Sequence, residues 1–193
     1  MDKKNCLQKT DSELVELSLQ DERWFYCIIL RYEEALLRYI KRISYATRED
    51  AEDILQEVFL SVYQNLNDFD NSLKFSSWIY RIAHNKTVSA WRKTNSRPKT
   101  VSADEDSDLF AFIPSDEDIL KNLEKKCDAK KTREIIGRMD KKYRDVLVLK
   151  FLEDKDYREI SDILKKPMGT VATLINRAKK KMEAELNKLE IKS

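Results

Sequence analysis

The stretch Ala51-Glu52-Asp53-Ile54-Leu55-Gln56-Glu57-Val58-Phe59-Leu60-Ser61-Val62-Tyr63-Gln64-Asn65-Leu66 decides the fold class. Its apolar residues Ala51, Ile54, Leu55, Val58, Phe59, Val62, Tyr63 and Leu66 recur at i, i+3, i+4, i+7, i+8, i+11, i+12 and i+15. A period of 3.6 rather than 2 puts them on one stripe of an α-helix. Thr47 is placed to cap that helix, and Asp50 three residues on makes a weak variant of a capping box. Asp50, Glu52, Asp53, Gln56 and Glu57 fall on the face opposite the stripe. Such a face is ordinarily just the solvated side of a helix; the alternative is a docking surface for a basic partner helix.

Outward from this helix, the same period continues on both sides. Asp11 or Ser12 is placed to cap a first helix. A longer apolar pattern then runs through Phe25, Ile28, Ile29, Tyr32, Leu36, Leu37, Tyr39, Ile40 and Ile43. Asn67 to Lys74 is a polar break containing Phe69. A further helix is predicted from about Ser76 to Lys93, with Trp78, Ile79, Ile82 and Ala83 inward. Tyr80, Arg81, His84, Asn85, Lys86 and Trp91 on that helix need another explanation. Aromatic, amide and basic groups interleaved in this way suit nucleic acid, because bases stack on rings and phosphates pair with cations. His84 by itself reads as a surface or packing histidine.

Composition agrees with an all-helical chain. Of 193 residues only 2 are glycine and 3 proline, too few for the many turns of an all-β fold. Charged residues make up 37% and the net charge is only +2, which excludes a histone-like DNA coater. The charge is distributed in blocks: positive from Lys86 to Lys99, negative from Asp104 to Asp118, basic again from Lys165 on. Separate blocks suggest separate partners. The single histidine, the lack of a Gly-rich phosphate loop and the lack of metal-ligand spacing argue against an enzyme, a metal site or any cofactor. Cys6, Cys27 and Cys127 are an odd set with no CxxC spacing and no secretory signal ahead of them, and read as reduced thiols in a cytoplasmic protein. No run approaches the roughly 18 apolar residues of a membrane span, so no membrane insertion is expected.

The chain divides into three segments: a helical domain over 1–94, a linker over 95–115, and a second helical domain over 116–193. The linker holds Pro98 and Pro114, is acidic, and reads as flexible; its apolar patch Leu109–Ile113 is too isolated for a core and could dock on a partner. In the second domain helices are predicted near 117–137, 140–153, 156–165 and 170–189. Lys166-Pro167-Met168-Gly169 separates the last two, with Gly169 permitting the sharp turn and Thr170 capping the final helix. The last two helices form a helix-turn-helix pattern. Ile160, Ile163, Leu164, Val171, Ile175 and Ala178 would bury the contact between them. Ala172, Thr173, Asn176, Arg177 and Lys180 would face a major groove. Any two amphipathic helices joined by a Pro-Gly turn look alike at this level; the polar and basic outer positions are what favour DNA.

At these residues the chain resembles the extracytoplasmic-function sigma factors of the sigma-70 family. Asp50-Ala-Glu-Asp-Ile-Leu-Gln-Glu-Val-Phe-Leu resembles their region 2.2. Phe75-Ser-Ser-Trp-Ile-Tyr-Arg-Ile-Ala-His-Asn resembles region 2.3 passing into 2.4. Pro167-Met-Gly-Thr-Val, with Arg177-Ala-Lys179, resembles the region 4.2 helix-turn-helix. All three occur in order around a variable linker, over nearly the whole chain. The resemblance implies two small helical domains, regions 2 and 4, in a transcription initiation factor that is not itself an enzyme. It implies that Asp53, Gln56 and Glu57 contact the β′ clamp helices of RNA polymerase core, and that the C-terminal domain meets the β flap. It implies that Asn67, Phe69 and Asn85 hold bases of the −10 element, with Arg92 and Lys93 on nearby backbone. Thr170, Thr173, Asn176, Arg177, Lys179 and Lys180 would meet the −35 element, and the acidic linker would run through the polymerase channel. Promoter DNA and an anti-sigma factor are the remaining implied partners. One departure is plain: many relatives read Gly-Thr-Val-Arg-Ser-Arg where this chain has Gly169-Thr-Val-Ala-Thr-Leu174, so two arginine contacts do not carry over. Two other classes remain to be weighed: a stand-alone helix-turn-helix regulator, and a helical adaptor that binds no DNA. The regulator would explain the C-terminus but leaves the acidic face and the aromatic-amide helix unaccounted for; promoter binding in the presence of core polymerase would exclude the adaptor.

Overall fold

The computed structural model describes residues 3–95 and 135–190, and every regular element among them is helical. They belong to two compact units. The first holds α1 (Lys3–Gln8), α2 (Asp11–Gln20), α3 (Phe25–Ser44), α4 (Arg48–Gln64) and α5 (Phe75–Asn95), with 3-10 turns at Glu22–Trp24 and Leu66–Asp68. Helices α3, α4 and α5 pack on one another, and α2 lies against α3 and α5. The stripe read from sequence on α4 is the buried one: Ala51, Ile54, Leu55, Val58, Phe59, Val62, and Leu66 beyond the helix end. Tyr63 is the exception. It is exposed, lays its ring edge-on to Phe25 and donates its hydroxyl to Glu22 at 3.2 Å.

Caps fix the ends. Thr10, not Asp11 or Ser12, opens α2. Its hydroxyl accepts from the Glu13 amide at 3.2 Å and the Glu13 carboxylate accepts from the Thr10 amide at 2.7 Å. This reciprocal box satisfies two orphan donors, and the Thr10 amide bond is the main reason the Glu13 carboxyl sits below its usual range. Asp11 is thereby released for tertiary work: Arg31 Nη1 reaches it at 2.7 Å and the Tyr32 hydroxyl at 2.6 Å. Thr47 caps α4 as expected, accepting from the Asp50 amide at 3.2 Å. Helix α3 stops at Tyr45, whose φ of 55° is left-handed, a conformation that usually falls to Gly or Asn.

Two sequence readings of this unit need correction. Cys6 and Cys27 are not reduced thiols: they form a disulfide, with Cα atoms 5.0 Å apart across 21 residues of chain. Tyr80 is not a surface residue; it is buried on α5 with its ring against Tyr39. Tyr39 itself is fully buried, and its hydroxyl shares a 2.9 Å hydrogen bond with His84 Nδ1, so His84 ties α5 to α3.

The second unit holds a helical turn at 135–138, α6 (Lys141–Leu147) running into a π-helical turn at Val148–Leu152, α7 (Tyr157–Leu164) and α8 (Met168–Glu190). Ile160 and Ile163 of α7 and Val171, Ile175, Ala178, Met182 and Leu186 of α8 are buried, as are Val146, Leu147 and Leu149. Asp156 and Glu159 form a second capping box at the start of α7. The turn differs from the sequence reading. Lys165, at φ 52°, makes the left-handed step, and no glycine has positive φ. Gly169 lies inside α8, where an added Cβ would meet nothing within 4 Å. Thr170 is not the cap, because α8 already begins at Met168 and the Pro167 carbonyl accepts from the Val171 amide at 3.0 Å. Proline suits a helix start, where its missing amide would have no partner anyway. Cys127, the Leu109–Ile113 patch, residues 96–115 of the expected linker and residues 117–134 of the helix expected over 117–137 lie outside the described residues, while Asn95, expected to open the linker, ends α5.

Candidate nucleic-acid interface and acidic docking face

On the first unit the core stripes of α4 and α5 face each other, which leaves their outer edges to form surface grooves. Asp53, Gln56 and Glu57 are all on the solvent side of α4, with Gln56 and Glu57 exposed and Asp53 at the mouth of a small cleft. Asp53 and Glu57 line that cleft, whose other walls include Tyr45, Ile54 and Trp91. Trp91 is 41% exposed and Tyr45 55% exposed, so acidic and aromatic groups meet solvent side by side. Arginine and lysine side chains fit such a surface, through carboxylate pairing and ring-face contact.

Glu57 also lines the neighbouring groove, with Ser61, Asp68, Trp78, Arg81, Asn85, Lys86, Ser89 and Lys93. Arg81, Asn85 and Ser89 are spaced by four on α5 and so share one face. Glu57 is common to the two grooves, and Lys86 Nζ lies 3.7 Å from its Oε2. The groove can place an amide, an aromatic edge and several cations against an extended polyanion.

The expected −10 residues divide between this groove and its support. Asn85 and Lys93 line it. Asn67 and Arg92 are exposed but are not among its walls. Phe69 is half-buried behind it, 5.3 Å from the rings of both Phe75 and Trp78, so it buttresses Trp78 rather than forming a wall. The loop before α5 is shaped by Asp70, which accepts from the Ser72 amide at 2.9 Å; that bond holds the Asp70 carboxyl below its usual range. Arg81 and Lys86, which the sequence groups with Asn85 as suited to nucleic acid without placing them at the −10 element, line the groove beside it.

On the second unit Asn176 and Arg177 are exposed on α8, as a recognition helix requires, and so are Thr173 and Lys180. The Thr173 hydroxyl already donates to the Gly169 carbonyl at 2.8 Å. Lys179 is half-buried, its Nζ 5.1 Å from the Phe151 ring centroid, so it also serves packing. Thr170 is exposed in the first turn, while Ala172 and Leu174 are half-buried at its sides. Among the described residues no cluster of His, Cys, Asp and Glu is placed to hold a metal, and no helix is long and apolar enough to cross a membrane.

A helix-turn-helix unit joined in one chain to a helical unit with an acidic face and a cationic groove defines a DNA-binding transcription protein. Residues 28–97 match the sigma-70 region 2 family, and residues 130–182 match sigma-70 region 4. The chain is 33% identical to the ECF RNA polymerase sigma factor SigW of Bacillus subtilis, over 88% of this chain and 92% of that one. It is 30% identical to the RNA polymerase sigma-H factor of Pseudomonas aeruginosa, over 94% of this chain and 96% of that one. The fold is also that of CnrH, solved in complex with the cytosolic domain of CnrY, with a TM-score of 0.67 at 22% identity, over 92% of this chain and 97% of that chain. The chain therefore belongs to the sigma-70 family, in its extracytoplasmic-function group.

Proposed function

We propose that this chain binds core RNA polymerase through α4, engages the −10 element in the α4–α5 groove and reads the −35 element with α8. The observation that carries this reading is the adjacency on one unit of an acidic, aromatic-lined cleft and a groove of amide and cationic groups, with Glu57 between them. Asp53, Gln56 and Glu57 form the dock for the basic β′ clamp helices. Asn85, with its amide donor and acceptor, holds an unstacked base, while Arg81, Lys86 and Lys93 supply phosphate contacts. Asn67 and Arg92 extend the path at its rim. Arg177, Asn176 and Lys180 meet the −35 duplex, and the β flap takes the second unit.

In this reading residues 1–94 act as region 2, 95–115 as the connecting linker and 116–193 as region 4. The polymerase supplies the chemistry, so the chain is a specificity factor rather than an enzyme, and it works in the cytoplasm. A relative's structure contains an anti-sigma factor: RpoE of Bartonella quintana, bound to NepR, has a TM-score of 0.63 at 17% identity, over 84% of this chain and 96% of that chain. An anti-sigma factor is the expected negative partner here too. Run-off transcription from a genomic promoter library, with core polymerase and purified chain, tests the reading. Start sites that require both components support it. Tight, sequence-specific duplex binding by the chain without polymerase would favour a stand-alone regulator instead.

A further inference from the structure

Helix α1 is held to the rest of the first unit in an unusual way. Among its described side chains, Asn5, Leu7 and Gln8 are exposed and only Cys6 is buried. Leu7, the apolar residue that would otherwise anchor so short a helix, is 73% exposed. Apolar packing therefore holds α1 weakly, and its attachment comes from α3 through two residues one turn apart. Cys27 bonds the Cys6 sulfur. Arg31, at i+4 on the same face, donates Nη2 to the Cys6 carbonyl at 2.7 Å and to the Lys9 carbonyl at 2.5 Å. Its Nη1 pairs with Asp11 at 2.7 Å, a contact that belongs to α2 rather than α1. Breaking the sulfur bond would leave α2 tied to α3, while among the described contacts α1 would keep the Arg31 bond to the Cys6 carbonyl, with the Lys9 carbonyl bond just past its end.

We propose that Cys6 and Cys27 are a reversible thiol–disulfide site that docks α1 when oxidised and releases it when reduced, and that its reactant is a low-molecular-weight disulfide of the glutathione class. Cys27 is fully buried in the middle of the unit, whereas Cys6 sits on a six-residue helix with no other buried side chain among those described, which opens at low cost. Cys6 is thus the attacking thiol. Its thiolate displaces one thiolate from the small disulfide, giving a mixed disulfide. The Cys27 thiolate then attacks the Cys6 sulfur and displaces the second. Two protein thiols and one small disulfide become one protein disulfide and two small thiols; two electrons pass to the small molecule and its two thiols take up the two protons.

The test equilibrates the full chain with reduced and oxidised glutathione at stepped ratios, then acid-quenches, alkylates and maps the cysteines by mass spectrometry. Cys6 and Cys27 should lose alkylation together in one two-electron step, with Cys127 as internal reference. Trypsin cleavage after Lys9 should be faster in the reduced chain by on the order of tenfold or more, because closing the loop removes conformational freedom that the open chain regains. Cys27→Ser should accumulate Cys6 as its glutathione adduct, whereas Cys6→Ala should leave Cys27 unmodified. Both variants are checked for native helix content, and the wild-type titration needs neither. Absence of an intramolecular bond at every ratio would overturn the proposal. So would a bond that persists at the most reducing ratio, or equal cleavage rates in the two states.

Discussion

Glu57 lies in both of the grooves described on the first unit, which makes it a residue at which fold and docking roles are easily confused. Its link to the fold is the pair with Lys86 at 3.7 Å, with side chains 63% and 36% exposed. At that distance in bulk water the attraction is about 1 kcal/mol before side-chain entropy and salt reduce it, so the net value is roughly 0–1 kcal/mol. Glu57→Lys turns a weak attraction into a weak repulsion between long side chains that can swing apart. Stability should therefore fall by no more than about 1 kcal/mol, a few degrees in Tm. At a dock for a basic helix the same change removes one attraction and adds a like-charge contact, at a cost of several kcal/mol. A loss of about 3 kcal/mol is on the order of a hundredfold in Kd for core polymerase. The charge swap Glu57→Lys with Lys86→Glu separates the two roles: it should restore Tm and leave the polymerase affinity impaired. Fluorescence anisotropy of labelled chain titrated with core enzyme, beside a thermal melt of each variant, gives both numbers. Recovery of affinity in the double variant would show that Glu57 acts only through Lys86, and the docking assignment would fail.

Asn85→Ala should slow open-complex formation on duplex promoters, read as weakened permanganate reactivity, and a pre-melted template should relieve only the opening part of the defect. Arg177→Ala should weaken promoter binding across all sequences if the guanidinium holds phosphate, or relax one −35 position by about 1–3 kcal/mol if it reads a base; a randomised −35 library distinguishes the two. Burial pushes the Asp145 carboxyl up to about 6, and nearby Lys141, Arg144 and Lys166 only partly oppose it. A folded-state pKa above the unfolded one means the native state binds the extra proton, so stability from this group is full below about pH 4 and is lost as pH rises through about 6. Asp145→Asn should remove that loss, raising the denaturation midpoint of the second unit at pH 7–8 by an amount equivalent to roughly 1–3 kcal/mol. A steeper decline between pH 4 and 6 in the variant than in the wild type would refute it.

Much of what depends on near neighbours is legible in the sequence, although the Thr10–Glu13 capping box escaped it. The α4 stripe and the Thr47 cap follow from spacings of three and four, and the structure buries that stripe apart from Tyr63. The other misses in the first unit turn on partners far along the chain. Asp11 looked like a cap because it is a good one, but Arg31 and Tyr32, some 20 residues away, claim its carboxylate. Tyr80 looked like a stacking residue because its helix is rich in them, yet Tyr39 covers it. Cys6 and Cys27 showed no pairing motif because their contact exists only once α1 lies across α3. The α7–α8 turn failed differently. Composition pointed to Gly169, but Ser161 bonds the Lys166 carbonyl at 2.5 Å and the Lys166 amide returns to the Ser161 carbonyl at 3.1 Å, which holds Lys165 in the left-handed step at modest cost.

The faces that line the two grooves are readable in part from the sequence, for a related reason. A helix needs only one stripe for its core, so polar groups that recur on another face are free to vary unless something else uses them. Asp53, Gln56 and Glu57 recur in this way on α4, and Arg81, Asn85 and Ser89 on α5. Sequence alone could not show that the two faces adjoin, because that depends on how α4 crosses α5. The 3.7 Å approach of Lys86 to Glu57 supplies the missing link. On the proposed function, Lys86 next to Asn85 faces two anions, because it lies 3.7 Å from the carboxylate that a basic partner would claim. A partner docking on α4 would draw Glu57 away and leave Lys86 for phosphate. On the same proposed function, that exchange couples the two grooves through an ion pair worth roughly 0–1 kcal/mol, whose carboxylate cannot serve both sides at once.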